Sequence, residues 1–463
     1  MPRLTRTYAV VRDLIRFDLE EQARLVGHLL RWIALGAVSG VLAGLASAGF
    51  LESLDWITNL RLAHPWLLFL LPAGGFAIGL AYHYGGGRSA SGNSMIIDEI
   101  HDPKDWISRR MAPLIYVGTL VTQLFGGSVG REGTAIQMSG SLTDAFSRIA
   151  HLSESDRRMM LIAAIAAGFG SVFGVPLAGC VFALEVQAVG RMRYDALVPA
   201  LSASVVGDMV VRAVGVHHTA YPQIATASVE PVLLLKVALA GLLFGLCSVA
   251  FCELTHGIER LCAATLNWPP VRPVIGGVAV VAMTYLVGNR DYLGLSLPLI
   301  TRSFEVGVGV ATVAFALKLV FTSVTLGSGF QGGEVTPLFV MGATLGATLG
   351  HLLGVSPPLM AAVGFVAVFA GAANTPLACT VMGLELFGTG IVVPLAIGCV
   401  VSYVFSAQRG IYGTQRVDTP KGGLPPAAGD AALTINVIAR ARRQWLPTRS
   451  RSDPPADSGP AGG

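Results

Sequence analysis

The chain has 463 residues, of which 53% are hydrophobic and 13% charged, and its mean hydropathy is +0.63. A soluble domain carries about 25% charged residues, so this composition excludes an ordinary soluble protein and predicts an all-α polytopic membrane protein. The net charge of +4 reflects basic residues near both ends, and no nucleic-acid-binding fold accompanies them. We therefore expect contact with membrane lipid and no nucleic acid partner.

The N-terminal segment lacks the features of a cleavable signal peptide. Residues 5–31 are predicted to form an amphipathic helix, because arginines recur among Val, Leu and Ile. A second group of basic residues lies between 409 and 451. The positive-inside rule then predicts that both termini are cytoplasmic, with an even number of crossings of the inner (cytoplasmic) cell membrane.

Apolar stretches recur along the chain at lengths close to a membrane span, which needs roughly 20 residues. The candidates are 33–55, 65–84, 111–125, 158–190, 195–215, 232–252, 274–288, 308–326, 335–354, 357–387 and 390–406. Several of these are too short, or too interrupted by Gly and Pro, to be simple spans. Such interruptions are typical of transporters with discontinuous helices.

An internal repeat divides the membrane region. The stretch from Ala167 to Glu185 reappears from Ala367 to Glu385, with Phe, Pro-Leu-Ala and Leu-Glu in register at an offset of 200. Repeats of this kind form substrate sites at their interface, near the bilayer midplane. The predicted organisation is an amphipathic helix (1–30), a first repeat (31–220), a second repeat (221–415), and a largely disordered cytoplasmic tail rich in Pro, Gly and Ala (416–463).

Two acidic segments framed by glycines are the strongest functional signal. One is Gly130-Arg-Glu132-Gly-Thr and the other is Gly332-Gly-Glu334-Val-Thr336-Pro. A carboxylate within a membrane is costly, so it marks a functional site. Each glutamate opens an apolar run, which predicts helix N-termini gathered around an anion. An ionised glutamate there would occupy the site as a tethered anion, and a protonated one would leave, which couples anion exchange to protons.

These segments resemble motifs of the CLC family of chloride channels and anion/proton exchangers. Residues 130–133 resemble its GREGP motif, with Thr134 in place of proline, and residues 332–337 resemble its GGxFxP motif. The stretch from Phe173 to Glu185 resembles the segment that follows in that fold. The resemblance covers about residues 30–415 and implies a CLC-like fold of two inverted repeats with discontinuous helices, assembled as a homodimer.

Departures from the chloride-transporting members resemble the fluoride-specific branch. Ser-Gly-Asn93-Ser-Met-Ile stands where those members have GSGIP, Glu334 replaces an apolar residue, and Val186 stands where an inner proton-transfer acid is expected. The resemblance implies a fluoride/proton antiporter that expels fluoride by means of the proton gradient. Glu132 would be the gating and proton-coupling residue. Fluoride would be bound by Asn93, Glu334, Thr336 and Tyr412.

Other interpretations remain open at this point. Glu132 could be a structural acid paired with Arg131. Glu334 or Thr336 could simply cap a helix, Asn93 could be a turn residue, and Tyr412 could belong to an interfacial aromatic belt. Chloride/proton exchange or passive anion flow in the same fold are the alternative functions. An intramembrane enzyme using the two glutamates as acid and base is disfavoured, because no nucleophile, cofactor or metal-ligand pattern accompanies them.

Overall fold

The computed structural model describes residues 2–305, 310–423 and 433–445. Within this part of the chain the fold is almost entirely α-helical. The helices are α1 (Pro2–Ala63), α2 (Leu71–Gly85), α3 (Asn93–His101), α4 (Met111–Leu124), α5 (Glu132–Ile149), α6 (Glu154–Phe173), α7 (Pro176–Glu185), α8 (Leu197–Ala213), α9 (Pro231–Thr265), α10 (Val271–Val287), α11 (Leu297–Phe304), α12 (Ala314–Gly327), α13 (Val335–Leu353), α14 (Pro357–Ala373), α15 (Pro376–Phe387), α16 (Val392–Phe405) and α17 (Ile435–Trp445).

Short elements complete the described fold. Two-residue strands β1 (Ala188–Val189) and β2 (Arg416–Val417) pair in parallel. Short 3₁₀ helices span Pro65–Leu70, Gly87–Ser91, Tyr194–Ala196, Thr389–Ile391 and Lys421–Gly423. The predicted disordered tail falls largely on 424–432 and 446–463, which lie outside the described residues. The helix predicted over 5–31 is part of α1, which continues without a break to Ala63.

The all-α polytopic membrane fold expected from composition is confirmed. By length and composition, five helical segments of the described chain can cross a membrane: Leu19–Ala63, Pro65–Gly85, Tyr194–Ala213, Pro231–Thr265 and Val335–Leu353. Further apolar helices of 10–17 residues accompany them, such as α4, α12 and α14. Helices of this length are too short for simple spans and fit the discontinuous helices of transporters.

Proline breaks two of the predicted spans at equivalent positions. The apolar stretch 158–190 divides into α6 and α7, and 357–387 divides into α14 and α15. Gly174 and Asn374 end the first helix of each pair in the left-handed conformation, with φ of 71° and 61°. The residue before each proline then leaves the helical region, as proline requires of its predecessor. The repeat seen in the sequence is therefore a repeat of structure.

The two repeats cap each other's helices reciprocally. The carboxylate of Glu385 accepts hydrogen bonds from the backbone N–H groups of Leu177 (2.9 Å) and Ala178 (2.7 Å) at the start of α7. The Glu185 carboxylate accepts from Leu377 (3.1 Å) and Ala378 (2.8 Å) at the start of α15. This exchange is the relation expected of repeats joined by a two-fold axis. It also gives the glutamates at equivalent positions near the ends of α7 and α15 a common structural role.

Small residues let neighbouring helices approach closely, as the spacing of glycines predicts. A Cβ added at Gly36, Gly40 or Gly44 of α1 would lie 2.6–2.7 Å from backbone oxygens of α8. A Cβ on Gly342 of α13 would overlap the backbone carbonyl of Gly364 in α14. These contacts fix the spacing of the helices that carry the site.

Replacing Gly342 by alanine should destabilise the protein, because the new methyl group has no space against the Gly364 carbonyl. Overpacking of this kind costs about 1–3 kcal/mol. Gly49→Ala in α1 is the matched control, since nothing lies within 4 Å of its added Cβ. Thermal unfolding in detergent should give a lower transition temperature for G342A than for G49A. Equal temperatures would contradict the close packing of α13 on α14.

Candidate functional site

The two glycine-framed segments meet at the centre of the molecule. The backbone N–H of Gly130 donates to the Gly333 carbonyl (2.6 Å), and the N–H of Gly333 donates to the Gly130 carbonyl (3.0 Å). The two residues form an antiparallel bridge. Because α5 begins at Glu132 and α13 at Val335, this bridge brings two helix N-termini together. The predicted gathering of helix N-termini is present.

The carboxylate of Glu132 lies on the N-terminus of α13. Its Oε2 accepts hydrogen bonds from the backbone N–H groups of Arg131 (3.1 Å) and Thr336 (3.1 Å), and its Oε1 accepts from the Thr336 hydroxyl. The Glu132 side chain is fully buried. Unpaired N–H groups and the positive end of the helix dipole make such a position favourable for an anion. In this structure the carboxylate of Glu132 fills it.

Glycines are required around this carboxylate. A Cβ on Gly130 would lie 2.5 Å from Glu132 Oε2, and one on Gly333 would lie 2.8 Å from the same atom. Gly133 stands between two other predicted site residues, with its added Cβ 3.0 Å from Asn93 Nδ2 and 3.8 Å from Glu334 Oε2. The glycine frame therefore makes room for the side chains of the site.

Two simpler interpretations of the motif residues do not match the contacts of the described residues. The Arg131 guanidinium lies over the Phe173 ring, 5.9 Å from its centroid, and the ion pairs found among the described residues do not include one with Glu132. The N-cap position of α13 belongs to Glu334, although its side chain makes no capping hydrogen bond. Thr336 is consequently not the N-cap, and its hydroxyl binds Glu132 instead.

Asn93, Glu334 and Tyr412 line a common cavity of about 300 Å³, here called the vestibule. Its other walls include the loop before α3, Gln137, the end of α9, Arg272 and the segment 326–332. Glu132 and Thr336 do not line it. Of the two motif glutamates, Glu334 therefore lines the vestibule and Glu132 does not.

Two polar atoms of the vestibule have no partner within the described protein. They are the Tyr412 hydroxyl and Asn93 Oδ1, both shielded from bulk solvent. The whole Tyr412 side chain is only 4% exposed. Buried polar groups in native proteins are almost always hydrogen-bonded, so an unpaired one needs a specific explanation. Both atoms belong to residues that the sequence singles out as ligands.

Tyr412 comes from the end of the membrane region and is held there by neighbours. The Thr414 hydroxyl donates to the Ser94 carbonyl (2.9 Å), next to Asn93. The Gln415 amide donates to the carbonyls of Val186 (3.0 Å) and Ala373 (3.1 Å). These contacts join the segment to α3 and to both repeats. The adjacent polar residues Thr414 and Gln415, in a largely apolar chain, could have indicated these contacts, but sequence reasoning did not use them.

Sequence reasoning missed Gln137 as well. This residue lies in α5, five positions after Glu132, and its buried side chain lines the vestibule.

The threonines two positions after each motif glutamate make different contacts. Thr336 reaches Glu132, but the hydroxyl of Thr134 pairs with Thr119 of α4 at 2.7 Å and does not reach Glu334. The site is therefore asymmetric although its motifs are repeated.

Metal and thiol chemistry are not evident at the site. The described residues include no group of three or more His, Cys, Asp and Glu side chains placed to hold a metal ion. The six cysteines are free thiols, and five of them are buried. The groups that converge on the site are a carboxylate at a helix N-terminus, a second carboxyl, an amide and two hydroxyls.

The fold and the site define a polytopic membrane protein of two repeats whose discontinuous helices meet at a buried carboxylate. The family model described as voltage gated chloride channel matches residues 74–407. The chain is 47% identical over 419 residues to the chloride/fluoride channel protein of Pseudomonas syringae pv. tomato, covering 89% of this chain and 92% of that protein. The chain belongs to the voltage-gated chloride channel family, and the resemblance to CLC proteins is confirmed.

Solved structures give the same result. A CLC-type fluoride/proton antiporter superposes with a TM-score of 0.82 at 32% identity, over 84% of this chain and 98% of that one. A slow cyanobacterial Cl⁻/H⁺ antiporter has a TM-score of 0.71 at 19% identity, over 90% of this chain and 99% of that one, which establishes the fold alone. The H⁺/Cl⁻ exchange transporter ClcA of Cronobacter sakazakii is 26% identical over 427 residues, 85% of this chain and 88% of that protein.

Proposed function

We propose that this protein is a fluoride/proton antiporter that uses the proton gradient to expel fluoride across the cell membrane. The observation that carries the proposal is the Glu132 carboxylate bound to the N–H and hydroxyl of Thr336, where a free anion would be stabilised. The similarity to a solved CLC-type fluoride/proton antiporter supports it.

Competition for one position couples the two ions. While Glu132 is ionised, its carboxylate occupies the N-terminus of α13 and blocks it. Protonation removes the charge that holds the side chain there, so an anion can take its place at Thr336. The return of the carboxylate expels the anion and releases the proton. The glycines on either side of the site leave room for this movement.

The donors around the site suit a small, strongly hydrated anion. Fluoride enters a protein only where close donors replace its water. Tyr412 has an O–H with no partner within the described protein. Asn93 presents an amide to the same cavity, and rotating that amide by half a turn exchanges Oδ1 for the Nδ2 donor. Thr336 supplies a backbone N–H and a hydroxyl at the inner position.

Glu334 is proposed to select for fluoride on the path between vestibule and gate. An ionised carboxylate repels any anion, whereas a protonated one offers an O–H donor. Passage of an anion past Glu334 would then depend on a proton as well. Chloride-transporting members have an apolar residue at this position, which supports a role specific to this branch.

The proton route differs from that of chloride exchangers in this proposal. Val186 occupies the position of their inner acid, and its side chain cannot carry a proton. Its backbone carbonyl accepts the Gln415 amide, so this part of the chain serves to hold the Tyr412 segment. Protons would move on Glu132 itself or through water. Both termini are proposed to be cytoplasmic, since both carry the basic residues.

Purified protein in liposomes loaded with fluoride or, separately, with chloride tests the proposed function. We expect fluoride efflux with proton uptake into the vesicle and little chloride movement, measured by ion-selective electrodes and an internal pH dye. Protein-free liposomes are the control for leakage. Comparable chloride flux would favour chloride/proton exchange, and flux without a pH change would favour a passive channel. Ion flux without formation of a chemical product would also exclude the enzyme alternative.

Glu132→Gln should abolish proton coupling, because the amide keeps the shape of the side chain but can neither ionise nor carry a proton. We expect proton movement to fall by about 100-fold or more, the lower range of what a positioned proton-transfer group contributes. The same liposome assay measures it, and gel filtration checks that the variant is folded. Undiminished proton movement in a folded variant would rule out the gating role.

Glu334→Ala should impair fluoride transport more than folding. We expect the fluoride transport rate to drop by about tenfold, which corresponds to roughly 1.4 kcal/mol. Glu259→Ala is the matched control, because Glu259 is an exposed carboxylate at the same vestibule. Flux and thermal unfolding should be measured for both variants. Normal fluoride exchange by a well-folded E334A would make Glu334 a structural acid.

A homodimer with a separate pathway in each subunit is also proposed, as the family resemblance implies. Equivalent leucines of the two repeats, Leu177 and Leu377, are each 52% exposed at the contact of α7 and α15, which supports an apolar surface there. Chemical cross-linking in native membranes should give a dimer band, and the same treatment after denaturation should not. Exclusive recovery of monomers from the membranes would count against the dimer.

A further inference from the structure

Lys318 is a fully buried lysine inside the membrane region, and the proposed exchange cycle does not use it. It lies on α12, one of the short apolar helices. An ionisable residue at membrane depth is costly and is retained for a function or a specific partner. The ion pairs found among the described residues do not include one for Lys318.

Four oxygen atoms surround the Lys318 amine. Nζ donates to the Ser128 hydroxyl (2.8 Å), the Ser296 hydroxyl (2.8 Å), and the backbone carbonyls of Gly294 (2.8 Å) and Tyr292 (3.2 Å). An ammonium has three N–H donors and no acceptor. The four contacts therefore saturate it, and the lysine joins three separate parts of the chain.

Ser128 is the contact that connects Lys318 to the site. It lies four residues before Glu132, in the loop that forms the Gly130–Gly333 bridge. The Ser128 hydroxyl also pairs with Thr322 (2.9 Å), and its backbone N–H donates to the Thr325 hydroxyl (3.2 Å). Residues 318, 322 and 325 share one face of α12. This face of α12, in the second repeat, therefore holds the loop 125–131 of the first repeat in place through Ser128.

Comparison of the two repeats shows that the lysine is a departure from their symmetry. At the offset of 200, Thr122 corresponds to Thr322 and Ser128 to Ser328, but Gly118 corresponds to Lys318. The added Cβ of Gly118 would lie 3.1 Å from the side chain of Gln331, so that position of α4 is closely packed and carries no side chain. Only the loop that leads to Glu132 is held by a lysine.

We propose that Lys318 is a positioning residue that fixes the loop 125–131 through Ser128, so that the Glu132 carboxylate meets the N-terminus of α13. The inference rests on the proposed coupling role of Glu132. Without this anchor the loop would sample other positions, and the carboxylate would leave Thr336 without being protonated. The expected consequence is fluoride movement that is no longer matched by proton movement.

The experiment compares wild type with Lys318→Met, which keeps an unbranched side chain but removes the amine, and with Ser128→Ala. The second variant leaves the lysine and its other three acceptors in place, but it removes both the lysine contact with the loop and the Ser128–Thr322 hydroxyl pair, so Thr322→Val is included to remove that pair alone. Thr284→Val is the control, because the Thr284 hydroxyl is buried but bonds within its own helix α10. Hydrogen exchange of peptides covering 125–136 reports on the loop, and liposome flux reports on the ratio of protons to fluoride.

Both K318M and S128A should exchange the 125–136 amides faster, by about tenfold, as expected when local opening becomes easier. Both should also lose proton coupling while fluoride still moves, and T284V should match wild type. Unchanged exchange and coupling in S128A would overturn the proposal, because the lysine would then act through its charge or through packing. If K318M does not fold, S128A decides the question by comparison with T322V, which should stay close to wild type; equal effects of S128A and T322V would overturn the proposal.

The hydrogen-exchange arm does not depend on transport. If wild type moves no fluoride, the proposed function fails, while faster exchange in both variants would still support the anchoring of the loop. If wild type exchanges fluoride for protons but both variants keep normal coupling, the proposed function stands and the role of Lys318 fails.

Discussion

The hydrogen bonds between Glu132 and the N-terminus of α13 hold the centre of the molecule together. A helix end in a membrane leaves N–H groups that need a partner, and a carboxylate from the other repeat supplies it. Most of the surrounding architecture serves this contact. The Gly130–Gly333 bridge sets the spacing of the two helices, the glycines leave room for the carboxylate, and the small residues of α13 let α14 pack closely behind it.

The same solution recurs at the contact between α7 and α15, where Glu185 and Glu385 cap helices in opposite repeats. There the exchange is symmetric, and each carboxylate receives two backbone N–H groups from a helix of the other repeat. At Glu132 the symmetry is broken, because Glu334 is shifted by two positions relative to the repeat and caps nothing. At α7 and α15 two glutamates cap each other's helices. At the candidate site only Glu132 binds a helix of the other repeat, and Glu334 lines the vestibule instead.

Much of the fold and of the candidate site was predictable from the sequence. The features that were not predictable share one cause. Glycine framing, the repeat and the apolar runs predicted that Glu132, Glu334 and Thr336 would meet at helix N-termini. Interruption of several apolar stretches by Gly and Pro was predicted in general, but the breaks before Pro176 and Pro376 were not predicted individually. Contacts between distant residues were not predictable, because spacing along the chain does not encode them. The choice of Thr336 over Thr134 as the partner of Glu132 depends on which helix faces the carboxylate. Lys318 gave no signal beyond its presence in an apolar stretch.

Tyr412 lies near the C-terminal end of the membrane region, and this position has a consequence for biosynthesis. A membrane protein emerges from the ribosome N-terminal end first. The helices that carry Glu132 and Glu334 are complete well before the segment with Tyr412, Thr414 and Gln415 is made. The vestibule therefore acquires its last wall only after the helices of both repeats have been made, through bonds to α3, to Val186 just after α7, and to α14. A chain truncated before Tyr412 would keep all of its long apolar helices and still lack this wall of the vestibule.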